Sequence, residues 1–131
     1  MIVLDANVLI AHLSRSDQHH GRAETLLETI NSEPWGVSAI TLAEVLVYPA
    51  RAGRLADAEA ALVGLEVQEV PLGSAASGRL AEMRAELGLK MPDCCVLLAA
   101  QNNEAPLATF DSELLAAAEK LGIKVIPGAP A

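Results

Sequence analysis

Residues 1–10, MIVLDANVLI, run three apolar residues, Ile2 to Leu4, straight into an aspartate, Asp5, and one residue later into Asn7 before apolar residues resume. A short apolar run that stops on a carboxylate and passes at once into helical period reads as a strand feeding a helix. The same grammar recurs along the chain. Strands are predicted at 2–4, 35–38 (WGVS), 65–70 (LEVQEV), 106–110 (PLATF) and 124–126. Helices are predicted at 6–14, 19–31, 39–48, 55–64, 74–87, 93–102 and 112–121. Strands separated by one or two helices favour parallel pairing with helices on both faces. The expected fold is therefore α/β: a three-layer α/β/α sandwich around a mostly parallel five-stranded sheet. Ligands of such sheets bind beyond the carboxyl ends of the strands, near the point where strand order reverses. Asp5 falls there, and so does Asp111, one residue past PLATF.

The 131 residues fit a single domain, 1–131, of a size that buries roughly two thirds of its unfolded surface. Hydrophobic residues make up 52% and aromatics only 2%, so the core must be aliphatic, as for helices packed on a sheet. No uncharged stretch approaches the ~18 residues of a membrane span, and the basic start and apolar run of a signal peptide are missing, so a cytoplasmic location is expected. Cys94 and Cys95 are adjacent in an apolar run, a poor framework for a disulfide or a zinc site, and are read as buried thiols. His12, His19 and His20 lack an HExxH-type pairing and are read as surface or cap residues. PGAPA at 127–131 reads as a loose tail.

Four carboxylates carry the chemistry. Asp5, Asp93 and Asp111 each precede a predicted helix, where aspartate is a strong N-cap because its oxygens accept from unpaired N–H groups. Glu44 escapes that explanation: it lies mid-helix in AITLAEVLVYP, with Ile40 four residues before it and Val47 three after on the same side. If the sheet is parallel, all four can converge on one crevice, where they repel one another and burial penalises each further. Cations make such a cluster tolerable, and hard oxygen ligands select Mg²⁺ or Mn²⁺ over zinc. A carboxylate cluster holding one or two such ions is a device for phosphodiester hydrolysis by activated water. Asn7 and Thr109 each lie two residues from a candidate ligand and can orient it by hydrogen bonds.

VLDANVLI, SAITLAEVL, MPDCCVLLAA and LATFD, in that order and over nearly the whole chain, resemble the PIN-domain ribonucleases, specifically the VapC-type toxins of toxin–antitoxin modules. The resemblance implies a parallel α/β/α sheet and metal ligation by Asp5, Glu44 and Asp93, with Asp111, Thr109 and Asn7 completing the site. It also implies structured RNA as substrate, a homodimer, and a cognate VapB-type antitoxin that inserts a basic side chain into the acidic site. One departure is expected: Pro49 in VLVYPARAGR ends the helix early and leaves a small basic loop.

The net charge of −8 argues against a broad basic nucleic-acid face. Setting aside the four site acids leaves thirteen acidic residues against nine basic ones, and Arg51 or Arg54 is the candidate for touching substrate phosphate. Two other readings compete. A phosphatase of the haloacid-dehalogenase type would use Asp5 as nucleophile, but such enzymes carry a second aspartate where this chain has Asn7. A catalytically silent PIN-like binding module would need caps at three positions and gives no reason for Glu44.

Overall fold

In the computed structural model, which describes residues 1–127, the chain begins with β1 (Ile2–Leu4), α1 (Ala6–Leu13), α2 (His20–Thr29), β2 (Trp35–Val37), α3 (Ala39–Arg51) and α4 (Leu55–Gly64). It continues with β3 (Gln68–Glu69), α5 (Ala76–Leu87), α6 (Met91–Asn102), β4 (Leu107–Thr109), α7 (Ser112–Lys120) and β5 (Val125–Pro127). The strands form one five-stranded sheet in the order β3-β2-β1-β4-β5, and every neighbouring pair is parallel. Strand order runs outward one way from β1 to β3 and then resumes on the other side with β4. The reversal therefore falls between β1 and β4, where Val3 pairs with Leu107.

Alternation along the strands divides the core in two. Ile2 and Leu4 face a cluster built with Val8 and Leu9 of α1, Leu26 and Leu27 of α2, Val45 of α3 and Leu62 of α4. Val3 and Leu107 face the other way, onto Met83 of α5, Val96 and Leu97 of α6, and Leu114 of α7. This is the expected three-layer sandwich. Each fully buried aliphatic side chain contributes roughly 1.5–3 kcal/mol relative to exposure, so the sheet's inner positions dominate stability. Helix α6 is buried continuously from Cys94 to Ala100, which explains its lack of an amphipathic stripe. Both cysteines are unpaired and buried, as read from the sequence. Helix α5 ends at Gly88, whose φ of 67° is the left-handed cap that glycine adopts without strain.

Two sequence expectations need correction. Helix α3 does not end at Pro49 but continues to Arg51. Proline in a last turn forfeits one hydrogen bond, and pairing resumes at once, with the Ala52 N–H donating to the Tyr48 carbonyl and the Arg54 N–H to that of Pro49. The expected basic loop shrinks to the junction at residues 52–54. Helix α6 starts at Met91, with Lys90 at its N-cap, so Asp93 lies inside the first turn and caps nothing. The tail expected at 127–131 lies outside the described residues, apart from Pro127, which closes β5.

Candidate active site

At the reversal of strand order, the ends of β1 and β4 are stitched together by side chains. Asp5 continues the face of Val3, and Thr109 that of Leu107, so the two meet on adjacent strands on the α6 side of the sheet. The Thr109 hydroxyl donates to Asp5 Oδ2 at 2.7 Å and accepts from the Asp111 N–H at 3.0 Å and from Asn7 Nδ2 at 3.3 Å. That uses its one donor and both lone pairs. Asp5 Oδ1 accepts from the Ala6 N–H at 2.8 Å, and Asn7 Oδ1 from the Phe110 N–H at 3.4 Å. Thr109 is 0% exposed and Asp5 6%, so one hydroxyl and one carboxylate form a fixed floor. Asp111 caps α7 with Oδ1, which accepts from the N–H groups of Glu113 and Leu114.

The remaining acids stand around that floor. Burial, reinforced by the charges of Asp93 and Asp111, pushes the Asp5 carboxyl up to about 6, although the Thr109 and Ala6 hydrogen bonds oppose the shift. Asp93, half-buried at the start of α6, is also raised, first by burial and then by Asp111, with Lys90 pulling it down. Glu44 on α3 is raised by burial and by Asp93, again against Lys90. The fold therefore brings Asp5, Asp93 and Asp111 within mutual electrostatic range, and Glu44 within range of Asp93.

Each sequence-derived reading has a definite outcome in the geometry. Asp5 and Asp111 are caps as well as members of the cluster, whereas Asp93 is not a cap, which removes the bland account of it. Ile40 and Val47, which flank Glu44, are 44% and 43% exposed, so the glutamate lies on an open helix surface beside apolar residues rather than within a core. Arg51 and Arg54 are exposed near the far end of α3. Arg51 is seven residues beyond Glu44, about 10 Å along the axis, and neither arginine acts on the raised carboxylates. The cation that does is Lys90, close before Asp93 in the sequence. Its signal was the three-residue spacing in KMPD, one helical turn.

The donor set suits a hard divalent cation: carboxylate oxygens with a threonine and an asparagine behind them, and no thiolate or imidazole among them. Among the described residues no three potential ligands stand in position to grip one ion. Asp5 is held at both oxygens, while the Asp93 and Glu44 carboxylates make no hydrogen bond or ion pair among the described residues and can swing toward it.

Comparison with known proteins follows that geometry. The PIN domain family matches the chain over residues 2–120. No sequence among the curated proteins matches it. Among solved structures, the chain is similar to a toxin–antitoxin complex from Klebsiella pneumoniae, with 24% identity, 88% of this chain and 91% of that one covered, and a TM-score of 0.71. VapBC2 from Rickettsia felis, bound to a DNA fragment from its promoter, gives 16% identity, coverage of 98% and 100%, and a TM-score of 0.75. VapC20 of Mycobacterium tuberculosis, a sarcin–ricin-loop-cleaving toxin, gives 16%, coverage of 89% and 95%, and a TM-score of 0.70. At such identities the structural likenesses establish the fold.

Proposed function

This chain belongs to the PIN-domain family, and on that premise we propose that it is a Mg²⁺- or Mn²⁺-dependent endoribonuclease, the toxin of a VapC-type toxin–antitoxin pair. The observation that carries the reading is a chain of like charges from four separate parts of the sequence: Asp93 and Asp111 act on Asp5, Asp111 on Asp93, and Asp93 on Glu44, and each of the three carboxyls acted upon is raised. A fold gains nothing from such repulsion unless a cation relieves it. The relatives lend the substrate and the partner: one is a toxin that cleaves the sarcin–ricin loop, and others are solved as toxin–antitoxin complexes. The partners of this chain are accordingly a structured RNA, a VapB-type antitoxin and a second copy of itself.

Asp5, Asp93 and Glu44 would hold the ion, with Asp111 completing the ring. When bound, the ion supplies an acidified water for in-line attack and charge stabilisation at the phosphate. The chain's own part is positional. Thr109 fixes Asp5 through its hydroxyl and Asp111 through the backbone, and Asn7 holds Thr109 and the Phe110 backbone in register. Lys90 offsets the charge of Glu44 and Asp93. An Asp5 nucleophile, as in a phosphatase of the haloacid-dehalogenase type, is disfavoured because Asn7 stands where such enzymes carry their second aspartate.

The test is cleavage of a mixed cellular RNA pool by purified, antitoxin-free protein with Mg²⁺ or Mn²⁺, beside Asp93→Asn and an EDTA control. Cutting that requires both the metal and Asp93 is expected. Asp93 caps nothing, so its loss leaves the helix start intact. If folded protein cuts no RNA under any of these conditions, the binding-module reading replaces this one.

A further inference from the structure

Lys90 stands at the entrance to α6, three residues before Asp93, and its backbone is held on both sides. Leu89 is buried, and its carbonyl accepts from Arg84 Nη1 at 2.6 Å and, more weakly, from the Cys94 thiol at 3.9 Å. The Lys90 carbonyl accepts the first bond of the helix, from the Cys94 N–H at 3.1 Å. The side chain is not held. It is exposed, gives the helix no cap, and makes no hydrogen bond or ion pair among the described residues. A fixed base thus carries an unpaired ammonium on a flexible four-carbon stem.

That ammonium acts on two acids of different helices. Helix α3 packs on α6. Burial raises the carboxyls of Glu44 on α3 and of Asp93 on α6, and the charge of Lys90 works against the rise in both. Neither acid pairs with it in contact. One cation is therefore shared through space between two anions, with no bond to break if it leaves. When those carboxylates turn to a divalent ion they no longer need the ammonium, and like charges then drive it outward. The protein is acidic overall, so a polyanion nearing this edge needs a local cation, and an ammonium accepts a phosphate oxygen without a fixed orientation.

Building on the nuclease reading, we propose that Lys90 is the shared counter-ion of Glu44 and Asp93 in the metal-free protein and passes to a backbone phosphate of bound RNA once those carboxylates hold a divalent ion. The role rests on charge at the end of a mobile stem. Lys90→Arg keeps that charge, whereas Lys90→Met keeps the stem and removes it. The side chain caps nothing, so both variants retain the start of α6.

The experiment first follows Mn²⁺ binding to the full chain by calorimetry, without RNA. Lys90→Met removes a charge that repels the incoming ion and should bind Mn²⁺ about fivefold more tightly, while Lys90→Arg should stay within about twofold of wild type. Binding of a fluorescein-labelled single-stranded RNA is then read by anisotropy over a range of salt, in EDTA and again in Ca²⁺, with gel electrophoresis to confirm that the strand stays whole. In Ca²⁺, which takes the same hard oxygen ligands, Lys90→Met should bind RNA about tenfold more weakly. Its slope of log K against log salt should shrink by about 0.7, the value for one phosphate on a single strand. In EDTA, where the acids hold the ammonium, the two proteins should differ by less than about twofold. Unchanged Mn²⁺ affinity in folded Lys90→Met overturns the proposal, and so does an RNA affinity that is unchanged in Ca²⁺ or falls equally in EDTA. Shifts in both measurements, with RNA never cut by the wild-type protein in Mg²⁺ or Mn²⁺, uphold the transfer and sink the nuclease. Metal-dependent cutting by Lys90→Met at the wild-type kcat/KM does the reverse, and no metal binding by the wild-type protein removes both.

Discussion

At the carboxyl edge of the sheet the strand ends deliver Asp5, Ser38, Thr109 and Asp111, whereas at the amino edge they begin with Pro34 and Trp35, Pro106, and Lys124 and Val125. Two hollows lie at the amino edge: one is lined by Gln101, Glu104, Pro106 and Lys124, the other by Asn31, Trp35, Val63 and Gln68. Glu33 pairs with the N-terminal amine at 3.2 Å and is exposed. Across the sheet the acids converge instead. The reason lies in the parallel topology, which points the N-termini of α1, α3 and α7 at the carboxyl edge. Asp5, Ser38 and Asp111 cap those three helices, and the positive end of a helix favours anions. Coupled carboxylates, rather than concavity, mark the carboxyl edge of this fold.

That contrast breaks most sharply under acid-to-amide substitution. Glu44→Gln should reduce metal-dependent RNA cleavage by at least about a hundredfold, since even residues behind a metal ligand commonly cost 10–100-fold. Glu104→Gln at the other edge should leave the rate unchanged, and equal effects at the two edges would erase the distinction. Steady-state cleavage of one purified RNA under saturating Mg²⁺ is the measurement.

The next effect is on stability against pH. Burial pushes the Asp5 carboxyl from its ordinary value of 3.8 up to about 6, so the folded state binds the proton more tightly. Its contribution is neutral below the lower value, turns unfavourable as pH rises between the two, and is fully unfavourable above the higher one. The upper bound of that penalty is about 3 kcal/mol. Urea unfolding in EDTA, compared between wild type and Asp5→Asn, should show the wild type losing ground from about pH 4 to pH 7. Parallel curves would place the carboxylate in an ordinary environment. Glu44 and Asp93 are raised as well and add to the slope with the same sign.

Thr109→Val keeps shape and removes the hydroxyl that serves Asp5, Asp111 and Asn7. Leaving buried partners unsatisfied should cost about 1–3 kcal/mol, and Thr109→Ser should recover most of it. Calorimetry of the three proteins checks this, and a neutral Val variant would show that the floor is not held by that hydroxyl. Smallest of all, Glu33→Gln loses an exposed ion pair and should change stability by less than about 0.5 kcal/mol, a null expectation for the amino edge that a larger shift in the unfolding midpoint would contradict.

Much of this was legible in the residues. The apolar run at 2–4 became β1, the pattern at 55–64 became α4, and the aspartates after IVL and PLATF became caps at strand ends, because strand and helix periods and capping chemistry are local properties. Element ends were less legible where one interaction outweighed a rule. Pro49 did not stop α3, because a last turn loses little from one missing donor. Asp93 reads as a cap from its neighbours, yet α6 begins earlier, with Pro92 in the first turn, where proline's missing N–H leaves no bond unmade.

The sequence by itself determined the fold class, the parallel order of elements and the identity of the acids, since each follows from period, turn chemistry and residue type within a few positions. Only the tertiary structure decided which charges share a field. It set Lys90 beside the acids, and it laid Arg22 on Phe110. Those are relations between residues distant in the chain, fixed by the way α2, α3 and α6 pack on the sheet, and no local pattern carries them.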